Sequence, residues 1–286
     1  MRRVFLVAII LLFAVTTPAA EPEYDRDLAR WQEVPIPPDT DQGARTVWLY
    51  AAGYSKHEWR VFADHDHVGA QLVTEQPTKH DDHPKFDPKA EEFESASAFA
   101  AADDGWLVGF NHGEFGAALY WFDGDGERNY KVSDHQVVDF FRLSDGWYAI
   151  EGLAHGTTSE GSAIRIARPK GGERWQATEV TKLPYAPYAV SLRKDGTMLV
   201  TLSDAIVSVG EDRKVQTLLP DAPWSGLYPG SSVLTSDEQK LYIGMRQFVG
   251  EFDLRAKKLR LLTPSDKFLH KLPADQEQQL RKAYSG

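Results

Sequence analysis

The stretch GFNHGEFGAALYWFDGDGE, residues 109–127, sets His112 and Glu114 among glycines just before an apolar run. An imidazole near a carboxylate can pass a proton near neutral pH, since histidine changes charge at about pH 6.5. His155 stands close to Glu151 in EGLAHGTTSEG, a second pair of the same type. TTSEG itself differs from G-x-S-x-G by Thr157 in place of the first glycine. No strand-turn-helix pattern surrounds it, so a nucleophile elbow is not expected.

DHDH (64–67) and HDDH (80–83) gather His65, His67, His80 and His83 with four aspartates. Imidazole and carboxylate together suit zinc or a similar divalent ion. The plainer reading is a pair of solvated turns. Asp123, Asp125 and Glu127 in DGDGE outline part of a calcium loop but lack its remaining spacing. A hairpin turn is expected there instead. There is no H-E-x-x-H, no Gly-rich phosphate loop and no cysteine, so no cofactor is expected beyond that candidate metal.

The elements that must position these residues repeat along the chain. DDGW (103–106), SDGW (144–147), KDGT (194–197) and SDEQ (236–239) each separate two apolar segments. Their aspartates, Asp104, Asp145, Asp195 and Asp237, are 41, 50 and 42 residues apart. Asp-Gly tolerates the positive φ of a tight hairpin. Around each turn four short strands follow in order, as in APYAVSL, TMLVTL, AIVSVG and VQTLLP. Units of four strands at this period indicate an all-β protein, a β-propeller. Residues 46–73 read as the second to fourth strands of a further unit, which gives five blades between about 45 and 264. A sixth blade follows if 77–100 hides irregular strands, and two packed sheets remain the alternative architecture. The segment RWQEVPI (30–36) is expected to add to a neighbouring blade and close the ring. Residues 76–92 read as a long polar surface loop, and the tail after Pro273 as one or two exposed helical turns.

The recurrent Asp-Gly turn within four-strand units resembles exported NHL and gluconolactonase-type propellers. The resemblance covers about 220 residues and implies a fold, not an activity. The Gly-His and Trp-Asp dipeptides of WD repeats do not recur.

In such a blade the loop between the second and third strands lies beside the connection to the next blade, opposite the Asp-Gly turns. One face therefore collects His112, Glu114, His155, Ser159 and Glu160 from inter-strand loops. The blade connections add Asp134, His135, Tyr185, Tyr188, Trp224 and Tyr228. Histidine, carboxylate, tyrosine and tryptophan among glycines compose a binding surface. His112, Glu114, His135, His155, Glu160, Tyr188, Trp224 and Tyr228 are accordingly the candidate ligand-binding residues.

Arg2 and Arg3 precede an unbroken apolar run, 4–15, and the small residues Thr17 to Ala20. This is the layout of a cleaved leader, 1–20, ahead of a single domain, 21–286, in the periplasm or outside the cell. The run is too short to span a bilayer, and no other candidate follows it. The formal charge is −10, and two units more negative without Arg2 and Arg3. Such a field repels phosphate, so neither nucleic acid nor an anionic membrane is an expected partner. The sequence thus reads as a monomeric, exported binding protein for a protein, peptide or glycan, inhibition included. The alternative is a metal-assisted hydrolase or lactonase with its ion over the central channel.

Overall fold

The structure is a computed structural model that describes residues 23–65, 67–75, 93 and 95–284. The leader, 76–92, His80 and His83 lie outside the described residues. In chain order the elements are β1 (Gln32–Val34), α1 (Gln42–Gly53), β2 (Trp59–Asp64) and β3 (His67–Leu72). Then come β4 (Ala96–Ala102), β5 (Gly105–Asn111), β6 (Ala117–Phe122) and β7 (Asn129–Ser133), which form the first four-stranded sheet. The second comprises β8 (Val137–Leu143), β9 (Gly146–His155), β10 (Thr158–Ala167) and β11 (Gln176–Leu183). The third comprises β12 (Pro187–Leu192), β13 (Met198–Leu202), β14 (Ile206–Val209) and β15 (Val215–Leu219). The fourth comprises β16 (Ser231–Leu234), β17 (Lys240–Gly244), β18 (Val249–Asp253) and β19 (Lys258–Thr263), and α2 (Ala274–Tyr284) follows.

Every pairing within these sheets is antiparallel between successive strands, as the Asp-Gly turns require. The sheets meet through their first strands: β4 lies against β8, β8 against β12, and β12 against β16. Their apolar residues pack between neighbours. Phe141, Tyr148 and Ile150 of the second sheet join Met198, Val200 and Val207 of the third in one cluster. Ala98, Leu107 and Leu119 of the first join Val137, Ala149 and Ile164 of the second in another. Burying both faces of each sheet in this way is what makes the array propeller-like.

Residues 46–73 depart from expectation. Residues 46–53 are helical, because Ala44, Val47, Trp48, Ala51 and Ala52 recur at helical spacing behind an Asp41 N-cap that accepts from the Ala44 amide at 2.8 Å. Trp48 stacks on Phe248 at 5.3 Å and seats α1 on the fourth sheet. The two strands left, β2 and β3, form a two-stranded sheet among the described residues, and Gly69 of β3 also bridges Asp27. Moreover β2 is placed as a first strand and not a later one, since it lies against β16 and β17. The segment at 30–36 adds to a blade, as expected. β1 pairs with β19, Gln32 opposite Thr263, and so covers the outer edge of the fourth sheet. Residues before β1 tie that edge to β3: the Ala70 amide donates to Arg26 at 2.9 Å, and Leu72 donates to the Tyr24 hydroxyl at 3.0 Å. The tail helix α2 is longer than expected and lies against α1.

Three glycines permit the close approach of one sheet to the next. A Cβ on Gly109 in β5 would stand 2.8 Å from the Cβ of Val137, the first residue of β8. On Gly152 in β9 it would meet the Glu160 carbonyl at 2.3 Å and the Cδ of Pro187, the first residue of β12, at 2.8 Å. On Gly244, at the end of β17, it would meet the carbonyl of Trp59, the first residue of β2, at 2.4 Å. Replacement of Gly244 by alanine is expected to cost about 1–3 kcal/mol in denaturant unfolding, because backbone must yield. Gly124→Ala, where nothing lies within 4 Å, is the matched control and should change stability little.

Candidate functional site

Chain direction sorts the connections onto two ends. The tight turns at 103–104, 144–145, 194–196 and 235–239 share one end with those at 123–128, 168–175, 210–214 and 254–257. The loops at 112–116, 156–157, 203–205 and 245–248 share the other with the links at 134–136, 184–186 and 220–230.

At the loop end, Gly113–Phe115 form a single 3-10 turn. It presents Glu114 to the second sheet, where Oε2 lies 2.9 Å from His155 Nε2. Both side chains are about half exposed, so their ion pair contributes little stability. Beside them Asn111 accepts from the Gly113 amide at 2.8 Å and from Gln136 Nε2 at 2.6 Å, joining a loop of the first sheet to the link into the second. Asn111, Gly113, Gln136, Val138, Leu153 and Tyr188 line a cavity of about 380 Å³ at the ends of the first strands. A second cavity of about 430 Å³ carries Asp134, Glu151, Glu160 and Glu179, with Lys182.

Several candidates have other partners. His112 caps the 3-10 turn through its carbonyl, which accepts from Phe115 at 3.2 Å, and its side chain makes no capping bond. His135 Nδ1 lies 2.9 Å from Ser133 Oγ. Glu151, paired with His155 in the sequence reading, instead accepts from Ser162 across the same sheet. Ser159 ties the second sheet to the third, through the Ser203 hydroxyl at 2.8 Å and the Ala186 amide at 3.0 Å. Trp224 corrects an expectation: it is 1 % exposed, donates to the Leu202 carbonyl at 3.0 Å, and has no surface to offer a partner. Tyr188 is half-buried, and burial together with nearby Tyr228 and Asp204 raises its pKa. Tyr228 is exposed, under the guanidinium of Arg246 at 5.0 Å.

His65 and His67 lie at the turn end of β2 and β3, away from the other described histidines. His65 Nδ1 is 2.8 Å from Asp64 Oδ1, and both side chains are largely exposed. Among the described residues no three His, Asp or Glu side chains are grouped to hold a metal. DGDGE is a hairpin turn in which Asp123 accepts from Arg128 Nε at 2.8 Å.

Three further candidate side chains are absent from the sequence reading. Phe115, beside Glu114, is 87 % exposed at a loop tip. Arg246, in the β17–β18 loop, belongs to a cavity roofed by α1. Asp139 is a lone carboxylate on β8, in the apolar run VVDFF, and Arg60 on β2 acts on it electrostatically. β2 and β8 belong to separate sheets, so the two charges come from distant parts of the chain. Asp139 is exposed, yet the protein around it raises its pKa to about 6, against the weaker opposing effects of the Phe140 amide and Arg60.

No family model matches the sequence, and no curated protein does. Solved structures do. Virginiamycin B lyase from Staphylococcus aureus shares 17 % identity at a TM-score of 0.40, over 63 % of this chain and 56 % of that one. An auxiliary nutrient binding protein from Bacteroides thetaiotaomicron shares 12 % at 0.41, over 59 % and 41 %. A gluconolactonase from Xanthomonas campestris shares 12 % at 0.38, over 58 % and 56 %. This chain therefore spans little more than half the length of the lyase and of the gluconolactonase. The fold itself is propeller-like, with four-stranded antiparallel sheets that meet through their first strands. No helix among the described residues is long and apolar enough to cross a membrane.

Two outcomes are expected. The folded state holds the Asp139 proton up to about pH 6, whereas the unfolded chain releases it near 4. The stability this group contributes is full below about pH 4 and is lost as pH rises through about 6. Asp139→Asn should therefore melt above wild type at pH 7.5 and level with it at pH 4; equal gaps at both would contradict the assignment. For the exposed pair, Glu114→Ala and His155→Ala should each shift unfolding by less than about 1 kcal/mol.

Proposed function

We propose that the chain is an exported, monomeric binding protein that takes a protein, peptide or glycan partner on its loop end. The proposal includes ring closure, with β2 and β3 as the fifth blade. Support for β2 as the next first strand comes from Gly244, which receives the start of β2 as Gly109 and Gly152 receive β8 and β12.

The observation that carries the reading is where exposed aromatics stand. Phe115, Tyr185 and Tyr228 are exposed at the loop end, while the described turns of the other end carry no exposed aromatic. Rigid aromatic groups give contact area at low entropic cost and dominate binding energy where they are central. The Glu114–His155 pair lies among them. A metal-assisted hydrolase or lactonase is the second reading, and its ion would draw on residues outside the described set.

Export is tested by N-terminal sequencing of mature protein, which should begin at Ala20 or Glu21. The face is tested with a photo-crosslinking residue at Phe115 or, separately, at Asp125 in a turn of the opposite end. Adducts from position 115 and not 125, weakened about tenfold or more by Tyr185→Ala, are expected. Equal adducts from both ends would remove the loop end from the account.

A further inference from the structure

Where α1 roofs the fourth sheet, a cavity of about 750 Å³ opens at the loop end. This is within the usual size of a small-molecule site. Tyr50, Tyr54 and Tyr228 wall it, with Thr46, Ser225 and Arg246. It shares no residue with the Glu114–His155 pair and does not depend on that pair's role.

Arg246 is the informative group. Its Nη1 donates to the carbonyl of Gly53, the last residue of α1, at 2.6 Å, and its guanidinium lies 5.0 Å from the Tyr228 ring. Glu58 is its backbone bridge partner, but no Asp or Glu carboxylate among the described residues forms an ion pair with it, although the chain has 42 acidic residues against 32 Lys and Arg. A guanidinium carries five N–H donors in a rigid fork, and one is used here. The carbonyl end of α1 and the Tyr228 face both favour a cation here, while the other N–H groups of the guanidinium can take an anion.

The walls narrow the chemistry of the missing anion. Tyr50 and Tyr54, one helical turn apart, present adjacent rings 4.8 Å between centroids and joined through their hydroxyls at 3.3 Å. Both are exposed, as is Tyr228, which Arg246 and a left-handed backbone (φ 51°) hold in place. The hydroxyls of Thr46, Ser225 and Tyr228 have no partner among the described residues. Flat aromatic faces, free hydroxyls and one unpaired guanidinium fit a polyhydroxylated ring that bears a carboxylate. We infer that this cavity binds a hexuronate unit of an acidic glycan, carboxylate on Arg246 and ring against the tyrosines.

Titration calorimetry with digalacturonate, its neutral analogue galactobiose and inorganic phosphate tests the site. Digalacturonate should bind saturably, and Arg246→Met should weaken it about tenfold or more while leaving galactobiose unchanged. Because Arg246→Met can loosen α1, Tyr54→Ala on the helix surface is the second variant, and should weaken digalacturonate about threefold to tenfold. His155→Ala should leave this affinity unaltered, which separates the site from the Glu114–His155 region. No saturable uronate binding, equal affinity in Arg246→Met, or phosphate binding as tight as digalacturonate would each overturn the inference.

Discussion

Close approach between sheets is the constraint on which the remainder of this molecule depends. Each of three sheets sets the start of the next first strand directly over its own second strand, and only a hydrogen fits there in place of a side chain. Gly109, Gly152 and Gly244 thereby fix the spacing at which the apolar faces of neighbouring sheets interdigitate. Between the third and fourth sheets no glycine plays that part. The Ser191 and Ser232 hydroxyls bond at 2.8 Å across the first strands, and Trp224 fills the wedge outside them. The same approach brings loops of separate sheets into reach of one another. Glu114 meets His155 because β8 sits on Gly109, and nothing local to either loop demands it.

Much of this architecture was legible because the Asp-Gly turns carry a backbone requirement that few residues satisfy. Gly105, Gly146 and Gly196 all adopt positive φ, and the strand order around each followed from them. The segment TVWLYAA was not legible. Its β-branched and aromatic residues suit a strand, and a short apolar run has no period of its own. What decides for the helix is packing: Trp48 finds Phe248, and Asp41 caps the first turn. With the helix missed, the site it roofs was missed too. Tyr50 and Tyr54 become neighbours only at helical spacing, and Arg246 meets them from a position 192 residues beyond Tyr54.

The candidate face was located by topology, yet its members were sorted by burial, which sequence does not encode residue by residue. Trp224 and Tyr228 stand four residues apart in one link, and one is sealed in the core while the other is exposed. The difference is local backbone. Leu227 donates to the Trp224 carbonyl at 2.8 Å, and the left-handed conformation at Tyr228 then turns its ring outward. Asp139 shows the same limit from the other side. A single carboxylate in an apolar strand is visible in the sequence, but its elevated pKa follows from the enclosing strands.

The two ends spend their charges differently, and this separates the candidate binding end from the turn end. At the turn end Asp103 pairs with Arg142 at 3.5 Å, Asp104 with Arg168, and Arg193 with Glu238 at 3.8 Å, each bond linking one sheet to the next. Arg213 completes the series by donating to the Tyr148 hydroxyl at 2.8 Å, so the second and third sheets are joined as well. Charges held in such ties are poorly placed to recognise a partner, since binding would first have to break them. At the loop end neutral groups make most of the ties, Asn111 with Gln136 and Ser159 with Ser203, beside the exposed Glu114–His155 contact. Arg246 is held there by the Gly53 carbonyl and has no ion-pair partner among the described residues. A neutral scaffold beneath charged and aromatic side chains can meet a ligand without reorganising, which is the physical condition for a preorganised site.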